Sequence, residues 1–277
     1  MPQKSPLILF TNDDGIDSPG LWAAVKAFEG LGDRLVVAPK EQQSGVGRSL
    51  ANRDGDNSGR LYPIEAPEGE TWQAYTVDAT PANTVLYGAL EVADRCPALV
   101  VSGINYGENA GSGITISGTV GAALEAAGMG IPALAVSQQT PIGLHMTHSA
   151  EVDFSAARHF ARWFGRWLLE TAPLPDDLNL LKVDIPTGAT SQTPWKITRV
   201  SRQRVYWPVM PKRASFAENG RIGYQLGIDP AEAEPDSDVY AILHEGLVSV
   251  TPISLDMTAR VDFGQLQHSF ADKFRNL

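Results

Sequence analysis

Leu7-Ile8-Leu9-Phe10-Thr11-Asn12-Asp13-Asp14-Gly15 is the stretch from which the rest of the chain is read. Four apolar residues ended by polar ones and a glycine have the form of a buried parallel strand that stops where the acids begin. In open α/β sheets, ligands bind beyond the carboxyl ends of the strands. Two adjacent carboxylates at such a place repel each other unless positive charge lies beside them. A hard cation with oxygen ligands, Mg²⁺ or Mn²⁺, is the expected companion.

Outward from this strand, apolar runs alternate with helical patterns. Ser18-Pro19-Gly20 opens a helix to about Gly30, with Ser in the N-cap position and Pro at the first helical position. Leu35–Ala38 reads as the second strand, closed by Pro39, and Tyr62–Glu65 with Gln73–Val77 reads as a hairpin. Pro81–Leu90 is helical, Leu99–Val101 is a buried strand, Gly118–Ala127 is a helix and Ala133–Val136 a strand. Phe154, Ala157, Ala161, Phe164 and Leu168 recur at three- and four-residue steps, the mark of a helix with one face in the core. Leu178–Val183 is a further strand. The alternation predicts an α/β fold with a doubly wound, mostly parallel, Rossmann-like sheet over residues 1–186.

The last third, residues 187–277, reads as an irregular segment. Pro, Gly and polar residues break it into pieces such as Lys196–Val200 and Gly223–Leu226, followed by a strand at Leu247–Thr251 and a weakly helical tail. It is expected to pack against the sheet or against a second subunit. Lys196, Arg199, Arg202, Arg204, Lys212, Arg213 and Arg221 are opposed within their own stretch only by Glu218, which reads either as a solvated surface or as a basic rim that attracts anions. Asn52–Gly59 is polar and Gly-rich and reads as a mobile loop.

Composition narrows the function classes. The 277 residues, 43% hydrophobic, suffice for one large core with an elaboration. A net charge of −10 argues against a general nucleic-acid or anionic-membrane binder, whose affinity rests on clustered Lys and Arg. A phosphate bound by so acidic a chain needs local positive charge. Cys96, the single cysteine, excludes an intrachain disulfide and a cysteine-based zinc site, and the five histidines show no metal-ligand spacing. No secretory or membrane-spanning stretch is evident, so the cytoplasm is the expected compartment.

Several strand ends are expected to converge. The first delivers Asp13 and Asp14. The second is followed by Pro39–Leu50, in which Gly45 and Gly47 let backbone amides approach an anion. The Leu99–Val101 strand runs into Ser102-Gly103-Ile104-Asn105-Tyr106-Gly107-Glu108-Asn109-Ala110-Gly111, and Ile116-Ser117-Gly118-Thr119 then opens a helix. Two carboxylates, a serine hydroxyl and an asparagine carbonyl make an oxygen set for a hard cation. Ser117 and Thr119, with the amides of a helix start, make an anion site beside it.

These motifs resemble those of the SurE-type 5′/3′-nucleotidases (stationary-phase survival protein SurE). The resemblance rests on Thr11–Gly15, on Ala38-Pro39 with Ser44-Gly45 and Ser49-Leu50, and on Ser102–Asn105 with Gly107 and Asn109. It continues through Ser117–Ala123, Gly130–Ser137 and Val248–Pro252. Ile116 stands where the family usually has Tyr, and Asn83 where it usually has Asp. The resemblance implies one divalent ion per subunit on Asp13, Asp14, Ser44 and Asn105, and phosphate contacts from Asn109, Ser117 and Thr119. It implies hydrolysis of nucleoside 5′- and 3′-monophosphates, with Asp13 and Asp14 at the chemistry and no covalent intermediate. It also implies a homodimer or homotetramer whose C-terminal segments exchange.

Three other readings compete. Haloacid-dehalogenase-type phosphatases use an aspartate nucleophile two residues before a second Asp; here Asn12 holds the earlier position and cannot form an acyl-phosphate. A dinucleotide oxidoreductase needs G-x-G-x-x-G after the first strand, which is missing. A nucleotide-binding or sensing module would keep the cradle without turnover.

Overall fold

In the computed structural model, residues 4–51, 59–66, 68–171 and 173–274 are described. The loop expected at Asn52–Gly59 lies, up to residue 58, outside them. β1 (Leu7–Thr11) is buried along its whole length, as a central parallel strand must be. β2 (Asp33–Pro39) pairs parallel on one side of it and β5 (Leu99–Tyr106) parallel on the other. The chain therefore steps outward from β1 in both directions, which opens a crevice beyond its carboxyl end.

The hairpin β3 (Tyr62–Ile64) and β4 (Gln73–Val77) attaches through β4 to β2. Beyond β5 come β6 (Ala133–Gln138) and β7 (Leu180–Ile185), both parallel. Two strands of the last third extend the same sheet. β11 (Val248–Ile253) pairs antiparallel with β7, and β8 (Trp195–Ile197) pairs parallel with β11. The described sheet has nine strands in the order β3-β4-β2-β1-β5-β6-β7-β11-β8. A separate two-stranded ribbon joins β9 (Tyr206–Val209) to β10 (Gly223–Leu226).

α1 (Pro19–Ala27) and α4 (Ser155–Glu170) cover one face of the sheet, and α2 (Pro81–Tyr87) and α3 (Gly118–Gly128) cover the other. Ser18 sits at the α1 cap position with extended backbone, yet its side chain caps nothing; Pro19 alone marks the start. α1 lies against β5 so closely that a Cβ on Gly20 would come within 2.1 Å of the Ile104 carbonyl. α4 buries Ala157, Phe160, Ala161, Phe164 and Leu168, the face its periodicity predicts. α5 (Phe263–Phe274) is exposed and leaves Phe263, Leu266 and Phe270 uncovered. Among the described residues no helix is long and apolar enough to cross a membrane.

β5 is longer than the apolar run Leu99–Val101. It continues through Gly103, whose φ is +123° and where a Cβ would stand 2.2 Å from the Val136 carbonyl oxygen, so no side chain is admitted. Its register against β6 shifts between Ser102 and Asn105, which carries the strand on to Tyr106 at the crevice.

Candidate active site

The turn after β1 is closed by Asn12, which donates through Nδ2 to the Gly15 carbonyl at 2.9 Å and accepts from the Gly15 amide at 3.2 Å. Asn12 is thus a buried turn-former in the position where an aspartyl nucleophile would stand. The loops after β1 and β2 are tied together by the Gln43 amide on the Asp13 carbonyl, at 2.7 Å, and by the Ile16 amide on the Pro39 carbonyl, at 2.8 Å. The Gly47 amide on the Ile116 carbonyl, at 3.0 Å, ties the second loop to the start of α3.

Asp13 and Asp14 are both buried, 5% and 1% exposed, and among the described residues neither forms an ion pair with Lys, Arg or His. Burial raises the pKa of Asp13, against the hydroxyl of Thr119 and the amides of Gly118 and Thr119, which favour its ionised form. Asp14 stands well above the ordinary carboxylate value, through burial first and the neighbouring charge of Asp13 second. Its Oδ1 accepts from Gln42 Nε2 at 3.0 Å and its Oδ2 from the Tyr106 amide at 3.2 Å. Gln42 Nε2 also lies 3.0 Å from Ser44 Oγ and 2.8 Å from the His145 carbonyl, so one amide group joins Asp14 to the Ser44 loop.

Asn105 donates through Nδ2 to the Gly107 carbonyl at 2.6 Å, which leaves its Oδ1 as the oxygen for another partner. Asn109 Nδ2 donates to Ser137 Oγ at 2.8 Å. Ser117 caps α3 by accepting from the Val120 amide at 3.1 Å. Thr119 is fully buried and donates its hydroxyl to Asp13 Oδ1 at 2.5 Å. Thr119, expected on phosphate, has its hydroxyl engaged by Asp13. Gly118 has no room for a side chain, since a Cβ would stand 2.8 Å from Asp13 Oδ2.

Asp13, Ser44, Gly45, Asn105, Asn109 and Ser117 line one cavity of about 570 Å³. Asp14 and Thr119 lie just behind its wall. The cavity is also lined by residues of the β9–β10 ribbon and by Ile116, His145 and Met146. His145 and Tyr224 are stacked at 6.0 Å, and Tyr206 meets both edge-on. The Thr140 carbonyl, 3.1 Å from His145 Nε2, can only accept, so Nε2 carries the hydrogen and Nδ1 receives the Tyr224 hydroxyl at 3.2 Å. Burial lowers the His145 pKa and so favours this neutral ring. Arg204 also lines the cavity, whereas Lys196 and Arg199 pair with Glu245 and Asp236. The basic stretch is therefore partly balanced by acids that follow it in sequence.

An oxygen-rich corner and an aromatic wall around one cavity suit an ester with an anionic end and a flat end. The match to known proteins agrees. The family model described as "Survival protein SurE" matches residues 8–206. The chain belongs to the SurE family.

A relative named 5′-nucleotidase SurE from Thermococcus kodakarensis is 40% identical over 261 residues, 94% of this chain and 96% of that protein. One of the same name from Archaeoglobus fulgidus is 40% identical over 92% of this chain and 94% of its own. The crystal structure of the SurE protein from Aquifex aeolicus superposes with a TM-score of 0.72 at 31% identity, covering 96% of this chain and 100% of that one.

Several residues of this SurE site are not marked by any sequence pattern. Gln42 lies inside the quoted loop without a motif of its own. Glu108 lines the cavity, accepts from the Tyr206 hydroxyl at 2.5 Å, and has a second oxygen buried without a partner. His148 is exposed and places Nε2 2.9 Å from the Asp14 carbonyl. Behind the Asn109 loop lies a fully buried cluster of Lys182, Asp184 and Asp238.

Proposed function

We propose that this chain is a metal-dependent phosphomonoesterase that hydrolyses nucleoside 5′- and 3′-monophosphates to nucleoside and phosphate. The observation that carries the reading is the buried Asp13-Asp14 pair, ion-paired to no cationic side chain among the described residues, beside a cavity that also holds hydroxyl and amide oxygens. The relatives named 5′-nucleotidase support the substrate class.

The donor set fits a hard divalent ion: every candidate ligand atom is oxygen, and the two carboxylates need a positive charge that the described residues do not supply. Asp13, Asp14, Ser44 and Asn105 would hold Mg²⁺ or Mn²⁺. When bound, such an ion would supply Lewis-acid polarisation of a phosphoryl oxygen and a water of lowered pKa. Asn109, Ser117 and the Gly45 backbone hold the phosphate at the start of α3, where amides and hydroxyl favour negative charge. Thr119 fixes the rotamer of Asp13. Asp14, held on both oxygens by Gln42 and Tyr106, orients the attacking water in line with the leaving nucleoside oxygen. The nucleoside lies against His145, Tyr224 and Ile116. The assembly we propose is a homodimer or homotetramer with exchanged C-terminal segments, supported by the uncovered apolar face of α5.

The test is phosphate release from 5′- and 3′-mononucleotides with Mg²⁺, with Mn²⁺ and with a chelator. Metal-dependent release that Asp13→Ala lacks supports the reading. Tight nucleotide binding without release supports a sensing module instead.

A further inference from the structure

The loop that carries Asn109 is held by its backbone amides, and two of the acceptors are buried carboxylates. The Asn109 amide donates to Asp184 Oδ1 at 2.7 Å, and the Gly111 amide to Asp238 Oδ2 at 3.1 Å. Lys182 Nζ ion-pairs with both acids, with Asp238 at 3.1 Å, and all three side chains are completely buried. Asp238 Oδ1 meanwhile accepts from the Ser201 and Val239 amides, at 2.9 and 2.8 Å. One cation thus bridges two acids, one on β7 and one in the last third of the chain, and each acid grips an alternate residue of the same loop.

Such a cluster is a weak source of stability. Taking three charges out of water opposes the Coulomb gain, and apolar side chains of similar volume commonly do as well. Apolar side chains would, however, leave the amides of Asn109 and Gly111 buried without acceptors. The ions therefore do something for this loop that packing cannot: they fix where its backbone lies.

We propose that Lys182, Asp184 and Asp238 are positioning residues for phosphate-ester hydrolysis, acting through Asn109. This rests on the reading of Asn109 as a phosphate contact. The geometry also takes four amides of this glycine-rich loop out of phosphate binding: those of Gly107, Asn109, Gly111 and Ser112 all point to protein acceptors, while the Asn109 side chain faces the cavity. It further makes the phosphate site depend on the last third, because Asp238 and the Gln203 carbonyl anchor its far end.

The experiment is a double-mutant cycle in the full-length metal-loaded protein, with Asp184→Ala, Asn109→Ala and the pair, following kcat/KM on the best mononucleotide and inhibition by inorganic phosphate. Displacing the loop should lower kcat/KM about 100-fold in Asp184→Ala and weaken phosphate inhibition about tenfold. The double variant should be no worse than Asn109→Ala alone, since both changes remove the same contact. Losses that multiply, or a folded Asp184→Ala with wild-type kinetics, would overturn the proposal. Should Asp184→Ala fail to fold, amide exchange in the wild-type protein decides: the Asn109 and Gly111 amides should exchange as slowly as those of β5, and fast exchange would overturn the clamp. A wild-type protein that releases no phosphate defeats the functional reading instead, and leaves the exchange measurement to judge the clamp.

Discussion

Thr119 Oγ1 lies 2.5 Å from Asp13 Oδ1, joining the first turn of α3 to the end of β1 across 106 residues of chain. The hydroxyl has one geometry in which to donate, so it selects a single rotamer of the carboxylate. Thr119→Val keeps the shape and removes the donor; kcat should fall about tenfold or more, while Thr119→Ser stays within about threefold of wild type. Steady-state kinetics of the two variants check this.

Gly118 is the other constraint on Asp13. A Cβ there would stand 2.6 Å from the Asp13 Cβ and displace the carboxylate. Gly118→Ala is expected to lower kcat about 100-fold and to lower the melting temperature as well, because the added Cβ meets the buried Asp13 side chain. A fully active Gly118→Ala would show that Asp13 does not need its present position.

Divalent-ion binding should be visible without turnover. At about 100 times its Kd, Mn²⁺ should stabilise the wild-type protein by about 2.7 kcal/mol, a rise in melting temperature of several degrees. Asp14→Asn should lose most of that rise. An unchanged rise in Asp14→Asn would move the ion elsewhere.

Glu108 supplies a pH signature. Burial holds its carboxyl above the ordinary glutamate value, opposed by the Tyr206 hydroxyl that favours the ionised form. The folded state therefore binds this proton more tightly than the unfolded chain does. The resulting stability is complete below the unfolded pKa and is lost as pH rises through the folded value. Glu108→Gln, neutral throughout, should gain on wild type as pH rises from about 4 to about 8. Melting temperatures of both proteins across that range test it, and a constant difference would contradict it.

Tyr224 tests the aromatic wall. Removing a stacking ring should weaken nucleotide binding by about 1–3 kcal/mol, so Tyr224→Ala should raise KM for mononucleotides tenfold or more with kcat little changed. An equal loss of kcat would instead assign Tyr224 to the phosphate end.

The local patterns in the sequence carried much of this. The unbroken run Leu7–Phe10, the Ser117 cap and the α4 periodicity each depend on neighbouring residues, and each appears where expected. What was not legible depends on distant partners. β5 continues past Val101 because Gly103 lets its backbone pass close to Val136, a contact no local pattern encodes. β7 runs two residues beyond Val183 because Lys182 and Asp238 accompany Asp184 into the interior; alone, a buried aspartate argues against a strand. β9, exposed and containing Pro208, has no periodicity to read. At the site, Asp13, Ser44 and Asn105 were identifiable from strand-end loops. The engagement of Thr119 with Asp13, and the meeting of His145 with Tyr224, arise only once the chain is folded.

The most direct measurement of the central claim is an anomalous difference map from crystals soaked in Mn²⁺. One strong peak per subunit is expected, coordinated by Asp13, Asp14, Ser44 and Asn105 and lost in Asp13→Ala. A peak held by other residues, with Asn105 Oδ1 out of coordination range, would contradict it.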